Sequence, residues 1–475
     1  MTDQPEHSQE TPPRPRRREL SAHAAVVALL VGLLAAIAVP GSRAGIGLAL
    51  AALATVAAAF DAARGRDRWR SAYLLMAGVL ALTPLVRDAG WLTVFALLAA
   101  TLLCAVALVE GTSWRGLLAG PRTVAQRLPG APIAVVRATA VATPMPAAES
   151  TYGALRGATI GGSLVVVFGT LFASADGAFA ELIGSVTPRA SLFGDLPLRL
   201  TVATLAAGLA GGLALSTGST PKFEALPARR TLAPLEWSVA LASLVILFAT
   251  FVGVQFVVLF GGDAHVLETA NLTYSEYAQE GFGQLLTAAA LVLAVVAGAR
   301  RWARTETSDE RLLLRALLGA LCALTLIVLV AALHRLDLYV DAFGATRARV
   351  VAAATCAWLG GLLGLVLAML LSDRAHWLPR AAVALTGAAA IAFTLANPDA
   401  WIASRNVDRY EAEERFDIAY ASALSADAVP ALASLPPEIA NEALGAQRVR
   451  LERDDGPFGL NLSRGRARRA LDDLP

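Results

Sequence analysis

At 475 residues the chain is long enough for two or three soluble domains, but its composition excludes that class. It is 56% hydrophobic and 16% charged, with a mean hydropathy of +0.57, whereas soluble proteins carry about 25% charged residues. The net charge of +2 says little; where the charges fall says a great deal.

Residues 1–21 are rich in Pro, Glu and Arg and end in a basic run, Arg14–Arg18, which predicts a disordered N-terminus. The apolar stretch Ala22–Pro40 is as long as a full span and is followed by more spans, so it reads as a retained first helix and not a signal peptide. Apolar windows recur at 44–60, 71–86, 89–109, 157–175, 196–215, 235–260, 281–299, 312–333, 349–371 and 378–396. Together these predict an all-α, polytopic transmembrane bundle of about eleven spans, each near the ~20 residues that hydrocarbon requires. The runs are continuous, with no period-2 alternation, so a barrel is excluded.

Four spans over 22–109 come first, then a basic connector at 110–156, then a seven-helix core over 157–396. The connector mixes Arg115, Arg122, Arg127 and Arg137 with leucines. It is either an ordinary cytoplasmic loop interrupted by Pro121, Pro129 and Pro132, or an amphipathic element on anionic lipid. Basic residues are about three times as frequent in one alternate set of loops as in the other, which places the N-terminus inside. Tryptophans agree with the boundaries: of the eight, only Trp358 falls mid-span. An odd number of spans then puts residues 397–475 outside, as a small helical tail. Its basic stretch, Arg464–Arg469, reads as a solvated or phospholipid-facing helix, and no nucleic-acid partner is expected.

The spans hold almost no charge; Gln255 is their most polar interior residue, which counts against a proton pump. Cys104, Cys322 and Cys356 lie singly in apolar runs and read as packing residues. Gly157/Gly161, Gly208/Gly212 and Gly360/Gly364 permit close helix approach. Arginine almost replaces lysine, Lys222 being the exception, a usage typical of a GC-rich bacterial genome.

Chemistry-bearing residues gather in the outer loops. Thr273 and Glu276 form a capping-box pattern, and Glu276, Glu280 and Gln284 recur at helical spacing as one polar stripe. With Asn271, Tyr274, Tyr277, Asp176, Asp337 and Asp341 they make up the candidate outer-face polar site. His334, Asp337 and Asp341 share one helical face and form a candidate ligand set for a divalent transition metal. Glu276 and Glu280 are also a candidate acid–base pair. There is no Walker loop, HExxH, CxxC pair or dinucleotide fingerprint, so no cofactor is expected.

Four stretches carry a family resemblance: Leu171-Phe-Ala-Ser-Ala-Asp-Gly-Ala-Phe179, Asn271-Leu-Thr-Tyr-Ser-Glu-Tyr-Ala-Gln-Glu-Gly-Phe282, Leu338-Tyr-Val-Asp-Ala-Phe-Gly-Ala-Thr346 and Asn397-Pro-Asp-Ala-Trp-Ile402. In this order they resemble the bacterial membrane proteins labelled domain of unknown function 4173, or its relative 4153. The resemblance implies a multi-pass protein of the bacterial inner membrane and supplies no catalytic residues. The leading expectation is a non-enzymatic protein of the lipid bilayer whose outer loops recognise a solute, a cation or an envelope partner protein, in a transporter-like or sensory role. The alternatives are a membrane-embedded metal-dependent enzyme using those loops, and a scaffold that binds a partner through its tail.

Overall fold

The computed structural model describes residues 20–63, 67–109, 113–142, 196–218, 231–260, 282–372 and 375–474. The expected fifth span at 157–175 lies outside them, as does most of the outer-face site: Asp176, Asn271, Tyr274, Glu276, Tyr277 and Glu280. Among the described residues the chain is helical, without strands; one isolated parallel bridge joins Leu232 to Ala303.

The first group of helices comprises α1 (Ala22–Ala38), α2 (Ile46–Ala62), α3 (Arg68–Ala81), a single turn α4 (Thr83–Val86) and α5 (Gly90–Leu108). The window at 71–86 is therefore a helix that breaks at Leu82. Pro84 explains the break, since it has no N–H for the ladder and suits the first turn of a new helix. After α5 the connector folds as α6 (Trp114–Arg127), a 3-10 turn at Leu128–Gly130 and α7 (Ala131–Ala142). Its prolines interrupt less than expected. Pro121 sits inside α6, Pro129 falls in the 3-10 turn, and Pro132 falls in the first turn of α7, where the missing N–H costs nothing. One face of α6, with Leu117, Ala119, Gly120 and Val124, is buried, while Trp114, Arg115, Leu118 and Arg122 are exposed.

The long helix α8 (Leu196–Ser216) packs closely on α1 and also on α7. Gly32 makes the first contact possible: a Cβ there would stand 2.6 Å from the Ala203 carbonyl oxygen and 2.9 Å from the Ala207 Cβ. Gly208 and Gly212 serve the second, facing Pro132 and Leu128. Replacing Gly32 with leucine is expected to force α1 off α8 and lower stability by about 1–3 kcal/mol, the usual cost of overpacking. Thermal unfolding in detergent, with exchange protection of α1 as the local reporter, measures it.

The second group is α9 (Pro234–Phe260), α10 (Phe282–Trp302), α11 (Ser308–Phe343) and α12 (Arg347–Ser372). Helix α11 is central, touching the other three. Leu318, Leu321, Cys322, Leu329, Cys356 and Leu363 belong to the group's shared core. A capping box opens α11: the Thr307 hydroxyl accepts the Glu310 amide at 3.2 Å, and the Glu310 carboxylate accepts the Thr307 amide at 3.3 Å. Helix α13 (Leu378–Leu395) joins the two groups, packing on α12 on one side and on α3 and α5 on the other. Trp358, the mid-span tryptophan, donates its indole N–H to Thr386 of α13 at 3.1 Å. All three cysteines are buried and unpaired.

Among the described residues eight helices, with α3 and α4 taken as one, are long and apolar enough to cross a membrane, and α1 and α2 are shorter apolar helices. Leu75, Leu98, Leu205, Ile246 and Val330 remain exposed on the bundle, as expected of side chains facing lipid. The chain is thus an all-helical, multi-pass membrane protein.

Residues beyond Asn397 fold into α14 (Pro398–Glu413), α15 (Ile418–Ser422), a 3-10 turn (Ala426–Ala428), α16 (Val429–Leu432), α17 (Pro437–Glu452) and α18 (Leu462–Asp472). They are not a loose appendage. Ile402, Leu424, Val429, Leu432 and Leu444 form a core with Val340 and Ala345 from the bundle. This explains why α11 continues for 36 residues, past the expected end near 333. At 1.5 Å per residue it spans roughly 54 Å, well beyond the ~30 Å of hydrocarbon. Its last turns are held by this cap, and Gly344, at φ +82, ends them.

Candidate functional site: the buried charge network beneath the cap

The cap meets one end of the bundle, over the turns at 39–45, 82–89, 343–347 and 396–397. Each turn contributes a polar group that the cap satisfies. In the first set, Asp399 in the opening turn of α14 is fully buried. Arg347, which starts α12, donates to both its oxygens, from Nε at 2.8 Å and from an Nη at 2.6 Å. The Trp91 indole N–H at 3.3 Å and the Ser425 amide at 2.9 Å complete the shell. Arg347 also lies over the Trp91 ring at 5.9 Å. Burial by itself would push the Asp399 carboxyl up; the Arg347 bonds and charge, with the Ser425 bonds, outweigh it and hold the group below the usual aspartate value.

The second set centres on Asp427, whose side chain is also fully buried. It accepts the Asp88 amide at 2.8 Å, the Ala89 amide at 3.1 Å and the Ser425 hydroxyl at 3.1 Å. Arg87 lies 3.9 Å away and spends its other N–H groups on the carbonyls of Thr394 and Leu395, at the end of α13. Asn397 is left-handed at φ +53, a conformation asparagine tolerates. With its amide nitrogen toward Asp427 (3.2 Å) and its oxygen toward Arg87 (3.1 Å), it bridges the pair.

In the third set, Arg464 of α18 is 1% exposed. It donates to Asp88 at 2.6 Å, to the Ala44 carbonyl at 3.0 Å and to the Gly459 carbonyl, and its Nε stands 2.9 Å from Asp455. Asp455 is shared with Arg43 at 3.3 Å and Arg468 at 2.8 Å. Burial, then the neighbouring Arg464, lower the Arg43 pKa against the pull of Asp88 and Asp455. Asn461 caps α18 by accepting the Ser463 and Arg464 amides, and donates to the carbonyls of Pro84 and Arg87 at 2.8 Å each. The reading of Arg464–Arg469 as a solvated or phospholipid-facing helix is therefore corrected at Arg464, while Arg466 and Arg469 are exposed. Arg464 is the most buried charge in the segment, because only there do two carboxylates and two carbonyls meet.

The described members of the sequence-derived site are placed differently. Gln284 is exposed on the first turn of α10. Gln255, near the far end of α9, is buried and accepts a hydrogen bond from Arg335 of α11. His334, Asp337 and Asp341 are exposed on α11. Asp341 receives Arg405 of α14 at 2.6 Å, and the same guanidinium lies 3.9 Å from Asp337. Among the described residues no group of three His, Cys, Asp or Glu side chains could hold a metal ion.

Chemically the network is a clamp. The Asp399 and Asp427 oxygens are occupied by donors, so neither carboxylate stands ready as a base. The sequence did carry a signal for it. Arg43 and Arg87 are lone bases, and Arg347 one of three, in loops of the base-poor set, and each has a carboxylate of the cap. Asn397-Pro398-Asp399, one of the resembling stretches, supplies two members of the clamp.

A family model described as a domain of unknown function (DUF4153) matches residues 74–435, beginning ahead of the first resembling stretch at Leu171 and covering α3 to α16. Of the two labels the stretches resemble, it is this one that matches. No curated protein and no solved structure matches the chain.

Proposed function

The chain belongs to the DUF4153 family, and from that premise we propose that it is a non-enzymatic recognition protein of the bacterial inner membrane, sensory in kind, whose outward-facing cap meets a solute, a cation or an envelope partner. The observation that carries this reading is the pair of buried cap carboxylates. Asp399 is held from α5 and α12, and Asp427 from the α4–α5 turn, so the cap and the spans move as one mechanical unit. A ligand that favours one position of such an element biases the spans by its differential affinity. The outward orientation rests on the loop charges: the capped end is the base-poor one, and its few arginines are drawn to the cap.

Hydrogen exchange on the full-length protein in nanodiscs tests the reading against a panel of divalent cations, amino acids and cell-wall fragments. Ligand-induced protection that appears together in α14–α18 and in the turns at 39–45 and 82–89 is the expected result. Protection confined to the interior of α9–α12 would overturn it in favour of a transport site.

A further inference from the structure

Two arginines that the clamp leaves over, Arg466 and Arg469, lie on the exposed face of α18. Leu462, Arg466 and Arg469 recur at four- and three-residue spacing, so they line one face, rising roughly 6 and 10 Å from the leucine. All three are exposed, and Leu460, just before the helix, is 55% exposed. Among the described residues Arg466 and Arg469 donate to carbonyls of their own helix, those of Leu462 and Gly465. Their neighbourhood already holds more positive than negative charge: Arg43, Arg464 and Arg468 share Asp88 and Asp455. Arg466 also lies close enough to the buried Arg87 to help lower its pKa, after burial itself. Asp472 and Asp473 follow Arg469 by three and four positions, and among the described residues neither forms an ion pair with it.

The height of this face relative to the membrane is set by backbone bonds. The Leu460 carbonyl accepts the Ile46 amide at 2.8 Å, and the Phe458 carbonyl accepts the Gly47 amide at 3.0 Å. Both donors belong to the first turn of the apolar helix α2. Gly45 permits the approach, since a Cβ there would fall 2.5 Å from the Leu460 oxygen. Leu460 is thus fastened to the first turn of α2, with two guanidinium groups one and two turns further along α18 than Leu462.

We propose that this ledge binds the headgroups of anionic phospholipids, with Leu460 and Leu462 in the acyl boundary and Arg466 and Arg469 on the phosphates. Aliphatic side chains below basic ones are the pattern of interfacial helices, and guanidinium groups suit phosphate by their forked geometry.

The test uses full-length protein with a fluorophore on Leu462→Cys, the three native cysteines being buried. It is placed in nanodiscs containing lipids brominated near the headgroup, either zwitterionic throughout or with phosphatidylglycerol added. Quenching is expected in both and stronger with phosphatidylglycerol. Arg466→Gln with Arg469→Gln should abolish the preference, at about fivefold in lipid association per arginine. Arg415→Gln, an exposed arginine elsewhere on the cap, should leave it intact. The double variant should keep its thermal midpoint in lipid-free detergent while losing the rise that added phosphatidylglycerol gives the native protein. That second comparison needs no label and decides the matter should the cysteine variant fail to fold. No quenching, quenching indifferent to headgroup charge, an equal midpoint rise in the double variant, or an equal loss in Arg415→Gln would each overturn the proposal.

Discussion

Asp399→Asn is expected to loosen the cap while leaving the bundle inserted. Removing one partner of a buried ion pair costs about 3–5 kcal/mol when the other is left stranded. Arg347 is 36% exposed and regains some water, so about 2–3 kcal/mol is the expected loss. The measurement is faster exchange and proteolysis across 398–474, with exchange in α3, α5 and α13 unchanged. A double-mutant cycle with Arg347→Met separates the pair from its surroundings: the second substitution should recover part of the loss, because no charge is then stranded. The pH dependence follows from the sign of the shift. The folded carboxyl sits below its unfolded value near 4, so the unfolded chain binds the proton more readily. The clamp's contribution is therefore complete above the unfolded value and fades as pH falls through the folded one. Cap release in acid should need a lower pH than ordinary aspartate titration, and Asp399→Asn should lose that pH step.

The second large effect is expected at Arg464. Arg464→Ala should cost about 3 kcal/mol, the lower end for a broken buried pair, because Asp455 keeps Arg43 and Arg468. Asp88 is then left with Arg43 at 3.9 Å, and the Ala44 and Gly459 carbonyls lose a donor. The effect should appear as early release of α18 and of the turn at 39–45 in the same exchange experiment. Substitution of Arg466 or Arg469 should stay within about 0.5 kcal/mol, as for exposed positions without partners. One helix therefore offers arginines of one residue type and opposite consequence, two positions apart.

These two sites show what a sequence exposes and what it hides. The spans were legible because an apolar run of about twenty residues leaves the backbone one way to satisfy itself in lipid. The break at Leu82 was not anticipated, although Pro84 was in plain view. The overrun of α11 could not be seen, since the residues that hold it, such as Ile402 and Arg405, lie in another element. The tail's polar composition masked a core, because Val407, Leu424, Leu432 and Leu444 are spread among charges. Arg464 looked like the arginines around it because burial is decided by partners such as Asp88, 376 residues away. Asp337 and Asp341 share a helical face with His334 as a ligand set would, but nothing beside them in the sequence announces Arg405, which occupies them in part. What composition did offer was a set of exceptions. Where the loop-charge rule is broken, at Arg43, Arg87 and Arg347, the cap is attached.

The clamp also bears on how the chain is made. Arg43 meets Asp455, its partner 412 positions later, so the turn between α1 and α2 is sealed by residues made long after it. At 5–20 residues per second the ribosome needs roughly 20–80 s to deliver that partner. During the wait Arg43 has Asp88, at 3.9 Å, as its acid. A chain that threads one hairpin backwards would leave Arg43 and Asp455 on opposite sides of the bilayer and could never close. Closure of the cap in this sense checks that Arg43 and Asp455 have arrived on the same side.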